Sequence, residues 1–290
     1  MDFVDILKAV LLGIVEGLTE FAPVSSTGHM ILIDDMWLRS EEVLTKYVAN
    51  TFKVVIQLAS VMAVVIVFRQ RFIDLLGLKR LVRSKPQPLR TNGTSLNPAD
   101  KPQGHLKLTH VIVGLLPATV LGLIFEDYID EYLFSAQTVI IGLAAGALLM
   151  IAADRFAPKG PSQQSVDHIT YRQALLIGLF QCIAMWPGFS RSGSTISGGV
   201  LLGMSHRAAA DFTFIMAVPI MFGASLLSLM KNWQYFTLDY LPFFAAGFIS
   251  AFIFALLSIR FFLKLINRIK LVPFAIYRLV LAAVAAIIIF

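Results

Sequence analysis

Glu16-Gly-Leu-Thr-Glu20-Phe-Ala-Pro23-Val-Ser25-Ser26-Thr27-Gly28-His29 places two carboxylates, three hydroxyls and an imidazole inside an otherwise apolar segment. An ionisable side chain at bilayer depth costs about 3 kcal/mol on insertion scales, so such residues mark a site by default. Proline interrupts the run by removing an amide donor and disfavouring helix in the residue before it. A second island, Pro187-Gly188-Phe189-Ser190-Arg191-Ser192-Gly193-Ser194-Thr195, repeats the arrangement with an arginine. The two together point to phosphate chemistry inside a membrane protein.

The rest of the chain supports the membrane reading. Of 290 residues, 57% are apolar and 14% charged, against roughly 25% charged in soluble domains. Six apolar runs, at 52–68, 108–125, 135–153, 209–230, 241–260 and 272–290, have the roughly 17–25 residues that a crossing needs. Segments 4–36 and 172–204 are also apolar but are broken at Ala22-Pro23 and Pro187-Gly188. Their halves are too short to span, and broken backbone persists at membrane depth only where protein or water covers it. The expected fold is an all-α polytopic membrane protein of six transmembrane helices and two re-entrant helical hairpins. Residues 1–22 do not read as a cleaved leader, because Glu16 and Glu20 interrupt the apolar region and no small-residue cleavage site follows.

Charge orients the expected topology. Residues 69–107 carry Arg69, Arg71, Lys79, Arg80, Arg83, Lys85, Arg90, Lys101 and Lys107 against Asp74 and Asp100. Residues 126–134 carry only acids, and 259–271 carry Arg260, Lys264, Arg268 and Lys270. The positive-inside rule makes the first and third cytoplasmic and the second external. Both termini then lie outside, and the hairpins open from opposite faces. The charge imbalance therefore reports topology, not nucleic-acid binding. Segment 84–104, rich in Pro, Asn, Gly and Lys, reads as a disordered cytoplasmic loop. Cys182 stands alone and reads as a small buried residue.

A shift of 165 residues aligns Gly13 with Gly178, Glu16 with Gln181, Phe21 with Trp186, Ser25 with Ser190, Thr27 with Ser192 and Gly28 with Gly193. The chain thus reads as one membrane domain (1–290) built as an inverted-topology repeat. The repeats would cover 1–153 and 165–290, with the site at their interface beside the discontinuous helices.

Glu16 and Glu20, four residues apart, share a helix face. They could hold a divalent ion, or divide the roles of acid/base and ligand; the plain alternative is a protonated pair capping hairpin amides. Ser25, Ser26 and Thr27 open a short helix whose free amides favour an anion, where ordinary capping needs a single hydroxyl. His29 lies within reach of Ser25 and Ser26 and could activate a hydroxyl or protonate a leaving group. Arg191 offers a planar fork of donors suited to phosphate oxygens; its plain alternative is a structural pair with a glutamate. Ser190, Ser192, Gly193 and Thr195 surround it in sequence, Gln57 could line the pocket, and Ser60 and Gln181 are weaker candidates.

These residues, with Val55-Ile-Gln57-Leu, Gln181-Cys-x-Ala-x-Trp-Pro and the ending Pro273-Phe-Ala-Ile-Tyr277-Arg278, resemble the bacitracin-resistance type undecaprenyl-diphosphate phosphatases, the BacA/UppP family. The resemblance covers nearly the whole chain. It implies an inner-membrane enzyme that removes the terminal phosphate of undecaprenyl diphosphate, recycling the lipid carrier of cell-wall synthesis and conferring bacitracin resistance. It also implies a divalent cation such as Mg2+ or Ca2+ on Glu16 and Glu20. The implied catalytic set is Glu16, Glu20, Ser26, His29 and Arg191, with substrate bound by Ser25, Thr27, Gln57, Ser190, Ser192, Gly193 and Thr195. Ser26 is the preferred nucleophile with His29 as acid/base; water or His29 itself remain open. The active site is expected to face the periplasm. The partners are the bilayer and a polyprenyl diphosphate lipid, with a homodimer left open. Loop 84–104 departs from the family in length and polarity, away from the site. The competing function is a transporter or flippase of an anionic polyprenyl lipid, since inverted repeats with broken helices are also transporter architecture.

Overall fold

The computed structural model describes residues 2–38, 44–77, 105–133, 135–159, 163–235 and 237–289. The expected loop at 84–104 lies outside them. Among the described residues the chain is helical, with six helices long and apolar enough to cross a membrane: Tyr47–Val67, Leu108–Phe125, Ala136–Phe156, His206–Asn232, Leu238–Ile269 and Val272–Ile289. The protein is a multi-pass membrane protein. Each apolar run read from the sequence falls on one of these helices.

Helix α1 (Phe3–Thr19) starts on a capping box in which the Asp2 carboxylate accepts from Asp5 N–H and the Asp5 carboxylate from Asp2 N–H. It stops before the Pro23 turn, and α2 (Ser26–Ile33) follows. A π-helical turn, Asp34–Leu38, continues α2, and Lys53 holds it through Asp34 at 2.7 Å. The next helices are α3 (Lys46–Val67), α4 (Arg69–Leu75), α5 (Leu108–Tyr132) and α6 (Ala136–Phe156). Then α7 (Tyr171–Ile183) and α8 (Arg191–Leu201) form a second broken pair. The chain continues through α9 (His206–Asn232), α10 (Leu241–Ile269) and α11 (Val272–Ile289).

In membranes helices approach closest where side chains are small. Helix α1 packs on α10 through Gly13 and Gly17; a Cβ at Gly13 would collide with Ser250 Oγ and the Gly247 carbonyl. Helix α7 packs on α5 through Gly178, where a Cβ would strike the Gly114 carbonyl. Helix α3 lies between α9 and α10, while α6 packs on α11 and α8.

The turn of the first broken pair is anchored by Phe21, which is fully buried and meets Phe214 of α9 edge to face at 5.0 Å. The turn of the second is pressed on α6: Gly188 adopts φ 86°, and a Cβ there would collide with the Val139 carbonyl. Trp186 Nε1 donates to the Thr138 carbonyl at 2.8 Å. Both breaks are thus held against spanning helices, the first by the Phe214 side chain and the second by the main chain of α6.

Candidate active site

Helices α2 and α8 begin alike. Their N-caps, Ser25 and Ser190, have φ 73° and φ 74°, a left-handed conformation uncommon outside glycine. Each hydroxyl oxygen accepts from the amide three residues on, Gly28 N–H at 3.3 Å and Gly193 N–H at 3.1 Å. Strain of this kind persists only where the surroundings enforce it, and it gathers at functional sites.

The two breaks touch directly. Ser192 Oγ donates to the Ala22 carbonyl at 3.1 Å and lies 3.3 Å from Ser190 Oγ. Arg191 Nη2 donates to Glu20 Oε1 at 3.2 Å, and its guanidinium carbon lies 5.8 Å from the centre of the Phe21 ring. Ser26 Oγ donates to the other oxygen of the same carboxylate. Glu16, one helical turn before Glu20, lies within electrostatic reach of both Glu20 and Arg191. The acids of the first island and the arginine of the second therefore converge, as the repeat reading anticipates.

Four polar groups in these elements are buried without a partner: Glu16 Oε1, Arg191 Nη1, Ser197 Oγ and both polar atoms of the Gln181 amide. An unmade hydrogen bond in such a place costs about 1–3 kcal/mol. The free guanidinium nitrogen suits an anionic oxygen ligand, and the free carboxylate oxygen suits a cation or a donor beside it.

A divalent ion fits these residues in one way. Among the described residues no group of three or more His, Cys, Asp or Glu could hold a metal, so the chain offers two carboxylates. Hard ions of the Mg2+ type are commonly held by one or two carboxylates together with water and substrate phosphate. The free Glu16 Oε1 supplies such a ligand.

Ser25, Ser26, Ser190, Ser192 and Gly193 are buried at the meeting of the two helix starts. Thr27 is exposed, unlike its neighbours. Thr195 is fully buried; its hydroxyl donates to the Arg191 carbonyl at 2.8 Å and accepts from Thr213 at 2.9 Å, fastening α8 to α9. Gln57 is half-buried on α3, and none of the described contacts joins it to the cluster. His29 is buried, yet its ring nitrogens face the Ser25 carbonyl and the Tyr277 hydroxyl, each at 2.7 Å. The proton of Ser26 is therefore directed at Glu20 and not at His29.

Two neighbours of the site carried no individual reading from the sequence. Tyr277 closes on His29, and Arg278 is fully buried against the second turn. Its Nη2 donates to the carbonyls of Gly142, Gly188 and Phe189 at 3.2, 2.9 and 2.8 Å. The available signal was a charge within an 18-residue helix of mean hydropathy 2.4, where a charged side chain needs a reason.

Comparison with known proteins identifies the family. The family model described as bacitracin resistance protein BacA matches residues 9–284. The chain is 70% identical over 290 residues to the undecaprenyl-diphosphatase of Geobacillus sp. (strain WCH70), covering 100% of each. It is 57% identical over 289 residues to the undecaprenyl-diphosphatase of Bacillus subtilis (strain 168), covering 99% of each. To that of Macrococcus caseolyticus (strain JCSC5402) it is 57% identical, over 100% of this chain and 97% of the other. With the motifs, the six spans and these matches in agreement, the chain belongs to the bacitracin resistance protein BacA family.

Proposed function

We propose that the protein is an undecaprenyl-diphosphate phosphatase. It hydrolyses the lipid diphosphate to undecaprenyl phosphate and inorganic phosphate, which returns the carrier to cell-wall synthesis and confers bacitracin resistance. Full-length relatives at 57–70% identity carry the name undecaprenyl-diphosphatase. The observation that carries the reading is the chain of contacts Arg191–Glu20–Ser26 across the two breaks, with Glu16 Oε1 and Arg191 Nη1 free beside it.

The geometry supports a two-step route. Ser26 Oγ attacks the terminal phosphorus while its proton passes to Glu20 Oε2, and the bridging P–O bond breaks to release the monophosphate lipid. Arg191 and the amides at the starts of α2 and α8 stabilise the charge that gathers on the phosphoryl oxygens. Water then attacks the phosphoserine and yields a proton to His29 Nε2, and Glu20 returns its proton to the Ser26 oxygen as the ester bond breaks. A divalent ion on Glu16 and Glu20, when bound, neutralises phosphate charge. Ser25, Ser190, Ser192 and Gly193 shape the pocket; Thr27, Gln57 and Thr195 take part as lining or support.

The chain reads as an inverted repeat whose broken pairs α1–α2 and α7–α8 are re-entrant hairpins. Support comes from the left-handed serines at positions 25 and 190, and from the matching crossings at Gly13 and Gly178. The basic segments 69–107 and 259–271 orient the pocket toward the periplasmic side of the inner membrane, with the lipid entering laterally. All the named site residues come from one chain, so a homodimer is compatible but not required.

Phosphate release from undecaprenyl diphosphate by the purified protein in detergent, where no gradient exists, tests the function. Release that depends on Arg191 and Glu20 supports it. Lipid binding without release would favour a carrier of the headgroup instead. Labelling of single cysteines from either side of sealed vesicles tests the orientation.

A further inference from the structure

The imidazole of His29 is held at both nitrogens. Nδ1 lies 2.7 Å from the carbonyl oxygen of Ser25, four residues earlier. A carbonyl only accepts, so Nδ1 carries a proton. In the neutral ring Nε2 is then a lone pair, and the group in front of it is the Tyr277 hydroxyl at 2.7 Å. A phenol both donates and accepts, so it satisfies Nε2 in the neutral ring and in the imidazolium alike. The two rings lie within 4° of parallel, with centroids 5.6 Å apart.

The placement of that hydroxyl is not left to a free side chain. Arg278, the next residue, is fully buried and donates to three carbonyls, two of them in the turn that leads to Ser190 and Arg191. A guanidinium in that position cannot slide without leaving buried groups unpaired. It therefore fixes the register of α11, and with it the height of Tyr277. Tyr277 as a residue is 47% exposed, while His29 is buried.

We propose that Tyr277 is a positioning residue for His29. The Ser25 carbonyl sets the Nδ1–H form, and the Tyr277 hydroxyl donates to the Nε2 lone pair and holds the ring in place. It occupies Nε2 until the attacking water, which also donates to the lone pair, takes its place. The role rests on the phosphatase reading above, but its structural half can be tested without any turnover. Partners of the second ring nitrogen of metal-bound histidines contribute about 10- to 100-fold in activity, and the same scale is expected of Tyr277.

The test is Tyr277→Phe in the full chain, purified in detergent, with 15N-labelled histidine and a His29→Asn variant to assign the His29 signals. The wild-type spectrum is expected to show a protonated Nδ1 and an unprotonated Nε2 for neutral His29. Tyr277→Phe should move the His29 Nε2 signal as its hydrogen bond is lost while Nδ1 stays protonated, lower kcat by about 10- to 100-fold and leave KM within about twofold. A wild-type ring protonated at Nε2 and bare at Nδ1 overturns the proposal whatever the variant does, even if the variant fails to fold. An unchanged kcat, or a lowered kcat with an unchanged His29 spectrum, overturns it as well. If the spectrum shifts as expected but the wild-type protein releases no phosphate, the positioning stands and the assigned activity is what fails.

Discussion

Arg191 and Glu20 stand 171 positions apart in the chain and meet at 3.2 Å. Each comes from the break of a helix pair, so a single ion pair joins the two halves of the molecule at the candidate site. With side chains only 17% and 5% exposed, it is shielded from the water that weakens surface pairs.

Arg191→Ala should lower phosphate release by at least about 100-fold, as loss of a preorganised donor does. Arg191→Lys keeps the charge but loses the fork and should fall between. Steady-state release of phosphate, read beside a thermal melt, separates this from unfolding. Activity within about threefold of wild type in Arg191→Ala would remove the residue from the chemistry.

Ser26→Ala should abolish capture of a phosphorylated protein and reduce turnover by about 100-fold or more. The check is rapid acid quench with labelled undecaprenyl diphosphate, followed by mapping of the modified residue. A phosphoenzyme that persists in the variant would move the nucleophile elsewhere.

Ser25→Ala and Ser25→Gly should diverge. Alanine loses the cap oxygen and keeps the unfavourable φ, for a loss of about 1–2 kcal/mol. Glycine loses the same oxygen but accepts φ 73° without strain, so its stability should stay within about 0.5 kcal/mol of wild type. Denaturant titration of both variants, and of the matching Ser190 pair, gives the comparison.

Arg278→Lys should destabilise the protein by about 3 kcal/mol, since one ammonium cannot serve three carbonyls. The thermal midpoint should fall even when the phosphate pocket is filled by inorganic phosphate. An unchanged midpoint would mean that the three contacts do not hold the turn.

Asp167 gives a pH signature through its pair with Arg71. Burial would raise its carboxyl, but Arg71, bonded at 2.6 and 2.7 Å, with the Leu106 amide and the Ser165 hydroxyl, holds it below its usual 3.8. A depressed folded value means the pair stabilises above 3.8, and its contribution is lost as pH falls through the folded value. Both side chains are partly exposed, so the effect is about 0.5–1 kcal/mol. Asp167→Asn should melt lower than wild type at neutral pH, with the gap closing below pH 3.8. A gap independent of pH would sink the assignment.

Much of this was readable from residue order, for identifiable reasons. The six spans follow from apolar length, and their observed ends differ from the expected ones by a few residues because polar edges such as Tyr47 and His206 continue the helix. Pro23 and Pro187 marked both breaks because proline acts on the local backbone. The meeting of Glu20 with Arg191 followed from matching the two islands. Side-chain aim was less legible. Ser26 and His29 share a short helix, yet each turns to a different partner, and helical spacing alone does not decide between them. Tyr277 could not be assigned to His29 by spacing, because its role exists only once α11 has packed beside α2.

The position of Tyr277 also bears on biosynthesis. Helix α1 finds its packing surface on α10, and His29 receives its second hydrogen bond from a residue made 248 positions later. Glu16 and Glu20 are therefore synthesised long before Arg191, the partner of Glu20. A chain truncated before residue 272 can form the Arg191–Glu20 pair, but it lacks both the second hydrogen bond of His29 and the three carbonyl contacts of Arg278.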